Sequence, residues 1–243
     1  MPARYWLPLQ GLQHPVPVEH LHAALSGWFD HVIAEDRVQP SDPQTDPHDF
    51  GEKPYTISPA THRDSVWGIE VTVMGRRTEQ ELLANSTVGA RLRLGKESVT
   101  AAPAVRLSGA TWRQLRDYDG STGWAVELVT PFTMRTGNRH SPFPLPSAVL
   151  RAPSTVWRAY CGLGPVEIPR NSQGSIWVSS IDVETTIYTL KGRAIPGLLG
   201  EVVYRCDDPA VAPAVSTLLR FAEFSGAGSF RGKGMGIVTV RSI

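Results

Sequence analysis

The sequence is poor in several features that mark common classes of protein. Its 243 residues include only two cysteines, Cys161 and Cys206, too few for a disulfide framework and without the spacing of a zinc site. The formal net charge is +1, so any nucleic-acid site must be a local patch rather than a property of the whole surface. No apolar run is long enough to span a bilayer, and the start has no long apolar segment. These absences predict a cytoplasmic globular protein that does not bind membranes.

Metal-binding motifs are also missing. The sequence contains no H-E-x-x-H, H-x-x-E-H or C-x-x-C, which are the spacings that common zinc sites require. His20 and His22 are two residues apart in a predicted helix, so their side chains point to different sides of it. We therefore expect no metal ion and no other cofactor.

The order of apolar patterns predicts an α+β fold. Residues 3–11 read as a strand, and Leu21, Leu25 and Val32 recur at helical spacing after Pro17. Continued along the chain, the patterns give β-α-β-β-α-β twice, which is the order of tandem ferredoxin-like (RRM-like) modules. We predict an N-terminal module over residues 1–110 and a C-terminal module over 111–243. In the second helix of the first module, Thr78 followed by Glu81 predicts a capping box.

A glycine-rich segment precedes the last predicted strand. It does not match the dinucleotide fingerprint, because Arg231 stands where the third glycine is needed. It does not match a P-loop either, because Ala227 and Gly234 stand where glycine and Ser or Thr are needed. It also follows a helix and precedes a strand, the reverse of both nucleotide motifs.

The segment fits a different pattern, in which two Gly-apolar-Gly triplets are separated by five residues. Glycines let a ligand approach the backbone closely and expose its N–H groups, and cations add attraction for phosphate. The pattern predicts a cradle for a nucleic-acid backbone, although a flexible loop with solvated charges is the alternative. The predicted RNA-binding residues of this loop are Gly226, Gly228, Arg231, Lys233, Gly234 and Gly236.

This pattern, placed between a helix and the last strand of a second ferredoxin-like module, resembles the signature of the RAMP superfamily. Within it, the chain resembles the CRISPR repeat-processing endoribonucleases, which cut precursor CRISPR RNA into guides. The stretches LHAAL (21–25), KPYTISP (53–59), VELVTPFTM (126–134) and IPGLLGEVVY (195–204) agree. The resemblance implies a cytoplasmic RNA endonuclease that needs no metal. Its implied partners are CRISPR repeat RNA and other CRISPR effector subunits, with no DNA.

Five of the seven histidines lie in the first 48 residues: His14, His20, His22, His31 and His48. Histidine exchanges protons near neutral pH, and RNA supplies its own 2′-hydroxyl nucleophile, so a base and an acid suffice to break the strand. The family commonly places a catalytic histidine in the loop after the first helix, a lysine near the second strand and a helper on the first helix. By resemblance these are His48, Lys53 and His22, with His20 and His31 as rivals of His22.

A second basic set, MRTGNRH, follows the first strand of the C-terminal module. Its Arg135 and Arg139, with His140, are further candidates for RNA binding, although a solvated loop is the favoured alternative.

Two other functions remain open. The first is a non-catalytic RAMP subunit that binds guide RNA in an effector complex. The second is an RRM-like binder of single-stranded RNA, which needs stacking aromatic residues on its central strands. The stretch SFRGKGMGIVTV, with Phe230, resembles such a strand only loosely, because Gly and Met stand at its centre where aromatics are expected.

Overall fold

The computed structural model describes residues 1–38 and 52–243. Contacts between Cα atoms divide the chain into two units, and the division passes through the glycine-rich loop. The first unit comprises Met1–Thr111 with Gly232–Gly234, and the second comprises Trp112–Arg231 with Met235–Ile243. Among the described residues, no helix is both long and apolar enough to cross a membrane.

The first unit contains three helices and seven strands among the described residues. They are β1 (Ala3–Gln10), α1 (Val18–Phe29), α2 (Ile33–Asp36), β2 (Tyr55–Ile57), β3 (Thr61–Arg63), β4 (Val66–Val73), α3 (Arg76–Thr87), β5 (Arg91–Leu94), β6 (Glu97–Ala101) and β7 (Val105–Gly109).

Strand β1 lies at the centre of the first sheet. It pairs antiparallel with β4 on one side and with β7 on the other, and β2 pairs with the far edge of β4. The order β2–β4–β1–β7 is that of a ferredoxin-like module, because the first strand lies between the third and fourth main strands. The β5–β6 hairpin extends this sheet, and the end of β1 pairs with β6 at Leu9 and Gln10.

Helix α1 packs by the predicted spacing, with Leu21, Leu25 and Phe29 fully buried. The apolar pattern continues to Val32, but α1 ends at Phe29, and the amide of Asp30 donates the last helical bond to Ser26. This ending brings the side chain of Asp30 against β2 and the residues before it, where the candidate site lies.

The predicted capping box in α3 is wrong. The helix begins at Arg76, so Thr78 lies inside the first turn and is not its cap. Instead, the carboxylate of Asp36 accepts hydrogen bonds from the amides of Arg77 and Thr78 and from the Thr78 hydroxyl, at 2.6–2.8 Å. A carboxylate satisfies several orphan donors at a helix N-terminus, so a residue of α2 replaces the local cap.

The second unit contains three helices and six strands. They are α4 (Trp112–Arg116), β8 (Gly123–Phe132), β9 (Met134–Thr136), β10 (Arg139–Ser141), α5 (Pro146–Tyr160), β11 (Ile176–Leu190), β12 (Arg193–Cys206), α6 (Ala212–Ser225) and β13 (Val238–Ser242). Single 3₁₀ segments lie at Arg170–Ser175 and Arg231–Lys233.

The sheet of the second unit has the order β11–β12–β8–β13, and every pair is antiparallel. It repeats the ferredoxin-like order of the first unit. Helices α5 and α6 pack together, with the rings of Trp157 and Phe221 5.3 Å apart. Both side chains are fully buried, as is Trp124 of β8. The predicted α+β class with tandem ferredoxin-like order is confirmed.

Candidate nucleic-acid site

The glycine-rich loop begins where α6 ends at Ser225. All four glycines of its two triplets have positive φ: 69° for Gly226, 73° for Gly228, 79° for Gly234 and 70° for Gly236. Side chains strongly disfavour this left-handed region, and glycine does not. The glycine spacing in the sequence therefore marks four positions at which the loop backbone requires a positive φ.

Close packing reinforces this requirement at two of the glycines. A Cβ on Gly236 would collide with the carbonyl oxygen of Ala227, and one on Gly228 would collide with the carbonyl oxygen of Thr133. The central residues of the triplets, Ala227 and Met235, are completely buried. The loop is thus a packed element of the fold rather than a flexible tether.

Backbone hydrogen bonds hold the loop against the end of β8. The amide of Ala227 donates to Gly236 at 2.8 Å, and the amide of Gly236 donates to Pro131 at 3.0 Å. The amide of Ser229 donates to Thr133 at 2.8 Å. The loop conformation is therefore fixed before any ligand binds.

The two cations of the loop lie in different surroundings. The Arg231 guanidinium donates a 2.5 Å hydrogen bond to the carbonyl oxygen of Ser225, the last residue of α6. A cation there satisfies an orphan carbonyl and complements the negative end of the helix. Lys233 is half-buried at the end of the 3₁₀ turn, in the segment Gly232–Gly234 that belongs to the first unit.

The second basic set forms the β9–β10 hairpin of the second unit. Arg135 and Arg139 are exposed, and the amide of Arg135 donates to the hydroxyl oxygen of Ser229 at 2.9 Å. The ring of His140 lies 5.4 Å from that of Phe230. The hairpin therefore places both exposed arginines beside the glycine-rich loop.

His22 lies next to the tip of the glycine-rich loop. A Cβ built on Gly232 would lie 3.4 Å from Cδ2 of His22 and 3.9 Å from Cε2 of Tyr55. Gly232 belongs to the first unit, so His22, Tyr55 and Gly232 form one cluster within it. One predicted catalytic residue therefore lies beside the part of the glycine-rich loop, Gly232–Gly234, that belongs to the first unit.

Lys53 joins this cluster through Asp30. The Lys53 ammonium lies 3.1 Å from Oδ1 of Asp30, and the Tyr55 hydroxyl donates to the same oxygen at 3.4 Å. Tyr55 is completely buried, and its ring lies 4.7 Å from that of Phe29. The end of α1 and the start of β2 together hold the lysine.

The rival histidines point elsewhere. The ring of His20 lies against the turn of the β5–β6 hairpin, where a Cβ on Gly95 would come within 2.7 Å of its Cε1. Nε2 of His31 lies 3.8 Å from a carboxylate oxygen of Glu81 in α3. The helix thus orients His22, rather than His20, toward Gly232, as its two-residue offset requires.

His48 lies outside the described residues. The residues that flank this segment approach each other, because Nη1 of Arg37 lies 3.8 Å from Oε2 of Glu52. In the part of the chain that the structure describes, no group of three or more His, Cys, Asp or Glu side chains could hold a metal ion.

Two residues of the cluster, Asp30 and Tyr55, were not predicted. Tyr55 lies inside the KPYTISP stretch, one residue past the Pro54 that follows Lys53, so its position was a usable signal. Asp30 carries no signal in the sequence, because its role depends on where α1 ends and on the path of β2.

Comparisons with known proteins agree with this architecture. Residues 126–238 match the family model described as CRISPR-associated endoribonuclease Cas6. A comparison with curated protein sequences finds no match.

Solved structures match over the whole chain. The Cas6 protein TTHA0078, in a product complex, is 23% identical with a TM-score of 0.79, over 99% of each chain. The Cas6 protein TTHB231 of Thermus thermophilus, in a product complex, is 19% identical with a TM-score of 0.77, over 99% of this chain and 100% of that one. A RAMP protein described as binding different RNA substrates is 12% identical with a TM-score of 0.60, over the full length of both chains.

The family-model match runs from within β8 to the start of β13 and so covers most of the second unit, and the structural matches extend through the first unit. Both agree with the resemblance read from the sequence, which is thereby confirmed. The chain is therefore similar to the Cas6 endoribonuclease family over residues 126–238 and shares the fold of solved Cas6 structures over its whole length.

Proposed function

We propose that the protein is an endoribonuclease that cuts CRISPR precursor RNA within its repeats, without a metal ion, to produce guide RNAs for antiviral defence. The observation that carries this proposal is the approach of the glycine-rich loop to His22 at Gly232. A loop suited to a phosphate backbone and a side chain suited to proton transfer then serve the same RNA strand.

His48, His22 and Lys53 are the catalytic residues of the proposed reaction. One histidine removes the proton of the 2′-hydroxyl, which attacks the adjacent phosphorus, and the other protonates the 5′-oxygen that leaves. Lys53 stabilises the extra negative charge of the phosphate in the transition state. The products are a 2′,3′-cyclic phosphate and a 5′-hydroxyl, and no cofactor takes part.

The RNA strand is held by backbone groups and cations of the glycine-rich loop and by the β9–β10 hairpin. In this proposal the N-terminal module, residues 1–110, carries the catalytic residues. The C-terminal module, residues 111–243, carries most of the RNA-binding residues. The partner is CRISPR repeat RNA in the cytoplasm, with other effector subunits as further partners and no DNA.

Single-turnover cleavage of a repeat RNA tests the proposed chemistry. His48→Ala should slow cleavage by about 10² to 10⁴, the usual contribution of a general acid or base. His14→Ala is a matched control, because His14 is an exposed histidine 3.4 Å from Glu97 and away from the cluster. Cleavage by His48→Ala at the wild-type rate would rule out its proposed role.

A non-catalytic RAMP subunit that binds guide RNA is the second candidate. The likeness to a RAMP protein described as binding different RNA substrates favours it, because RNA binding alone accounts for the glycine-rich loop. Tight binding of repeat RNA by the wild-type protein, with no cleavage under single-turnover conditions, would select this function over the first.

A further inference from the structure

We propose that Asp30 is a positioning residue that holds the ammonium group of Lys53 where it meets the RNA phosphate. This inference rests on the proposed endoribonuclease function and assigns a role to a residue outside the predicted site. Its basis is the ion pair between the end of α1 and the residues that lead into β2.

The pair is largely shielded from solvent. The Lys53 and Asp30 side chains are 16% and 11% exposed, with 3.1 Å between Nζ and Oδ1. The Arg77–Glu35 pair of the same unit also has a 3.1 Å separation, but its side chains are 57% and 53% exposed. Exposed pairs contribute little because water and salt screen them, whereas loss of one partner from a buried pair leaves an uncompensated charge. The Lys53–Asp30 pair is therefore screened less than the exposed pair and holds the lysine more strongly.

Asp30 is itself held from two directions. Its amide donates to Ser26 at 2.9 Å as the last helical bond of α1, which fixes its backbone. Its Oδ1 also accepts the hydroxyl of Tyr55, whose ring is completely buried against Phe29. A carboxylate anchored in this way is a rigid reference point for a flexible side chain.

Lysine needs such a reference point to act in catalysis. Its four-carbon side chain has many rotamers, and restricting them costs conformational entropy. In a preorganised site this entropy is lost before the RNA binds. An ammonium has three N–H donors, so one bond to Asp30 is compatible with another to a phosphate oxygen. The Tyr55 hydroxyl donates to the Asp30 carboxylate, and Cε2 of Tyr55 would lie 3.9 Å from a Cβ on Gly232, the residue beside His22. The Lys53 ammonium therefore belongs to the same cluster as His22.

The test compares single-turnover cleavage of repeat RNA by Asp30→Asn, Lys53→Ala and the double variant. Asp30→Asn keeps the shape and removes the charge, and should slow cleavage by about 10- to 100-fold, because small misplacements of a catalytic group have effects of that size. The double variant should be no slower than Lys53→Ala alone, because Asp30 acts through Lys53. Glu35→Gln, the exposed counterpart, should cleave at the wild-type rate.

A purely structural role for Asp30 predicts a different pattern. The losses of the two single variants would then multiply in the double variant, and that result would overturn the inference, as would wild-type cleavage by Asp30→Asn. If Asp30→Asn does not fold, Asp30→Glu takes its place, since it keeps the charge but displaces the ammonium by one methylene. Asp30→Glu should then retain the melting temperature and cleave more slowly than wild type, and an unchanged rate would contradict the inference.

Failure of the parent proposal looks different from failure of this inference. A wild-type protein that binds repeat RNA but never cuts it rejects the endoribonuclease function, and the role of Asp30 with it. A wild-type protein that cuts normally and a Lys53→Ala variant that cuts slowly, together with an Asp30→Asn variant that cuts as fast as wild type, reject the positioning role alone.

Discussion

The amide of Ala227 donates a 2.8 Å hydrogen bond to the carbonyl oxygen of Gly236. This bond joins the two glycine triplets and closes the loop between α6 and β13. It brings the backbones so near each other that a side chain on Gly236 would overlap the carbonyl oxygen of Ala227. The signature glycines are therefore needed first for folding the loop, and only through that fold for binding.

Gly236→Ala should destabilise the protein. A side chain at φ of 70° costs roughly 1–2 kcal/mol before the overlap with Ala227 is counted, so thermal or denaturant unfolding should show a loss of at least that size. Gly232→Ala is the matched control within the loop, because its Cβ would meet no atom nearer than 3.4 Å. Equal stability of the two variants would contradict the backbone requirement.

Much of the fold could be predicted from the sequence, because local apolar patterns indicate the order of helices and strands in each ferredoxin-like module. The register of the sheets and the end of α1 at Phe29 could not, since both depend on contacts between distant segments. The cap of α3 shows the same limit: Thr78 looked like a local cap, but Asp36 of another helix supplies the carboxylate.

The candidate site was partly predictable for the same reason. The glycine spacing reports a local backbone conformation, so it could be read directly. His22 and Lys53 were predicted by resemblance, whereas Asp30 became a candidate only when the fold placed it 3.1 Å from Lys53. The position of His48 stays a prediction.

Loss of the His22 side chain should slow cleavage more than loss of the His31 side chain. His22→Ala should slow single-turnover cleavage by about 10² or more if it acts as general acid or base. His31→Ala is the control, because that side chain is exposed beside Glu81, and it should cleave at the wild-type rate. A larger loss in His31→Ala than in His22→Ala would reverse the assignment drawn from the contact with Gly232.

Substitutions of the two loop cations, Lys233 and Arg231, should have different effects on RNA binding and on stability. Lys233→Ala should weaken RNA binding and reduce the salt dependence by about 0.7 in the log–log slope, the contribution of one phosphate contact on a single strand. Titrations at several salt concentrations measure this slope, and an unchanged slope would remove Lys233 from the RNA interface.

Arg231→Ala should lower the melting temperature as well as RNA affinity, because the guanidinium bonds the last carbonyl of α6. A typical hydrogen bond to a charged group contributes about 1.5–3 kcal/mol. Arg231→Ala with wild-type stability would show that this bond contributes nothing to the fold, and Lys233→Ala measured alongside provides the comparison for loss of charge alone.

Ionisation of the Tyr5 hydroxyl should make the protein less stable in alkaline solution. Burial, and then the hydrogen bond that its hydroxyl donates to Glu79, raise the pKa of Tyr5 from its ordinary value of 10.0 to about 12. The folded state thus favours the protonated phenol, so its contribution is complete below pH 10 and is lost as the pH rises toward 12. Chemical unfolding across this range should show the loss, and Tyr5→Phe should show a smaller pH dependence between pH 10 and 12. An identical decline in both proteins would contradict the assignment.

The most direct test of the central claim is cleavage of a CRISPR repeat RNA in excess chelator, followed by analysis of the new ends. The proposed mechanism predicts undiminished cutting, a 2′,3′-cyclic phosphate on the upstream fragment and a 5′-hydroxyl on the downstream one. Cutting that stops in chelator, or that leaves a 5′-phosphate and a free 3′-hydroxyl, would contradict it.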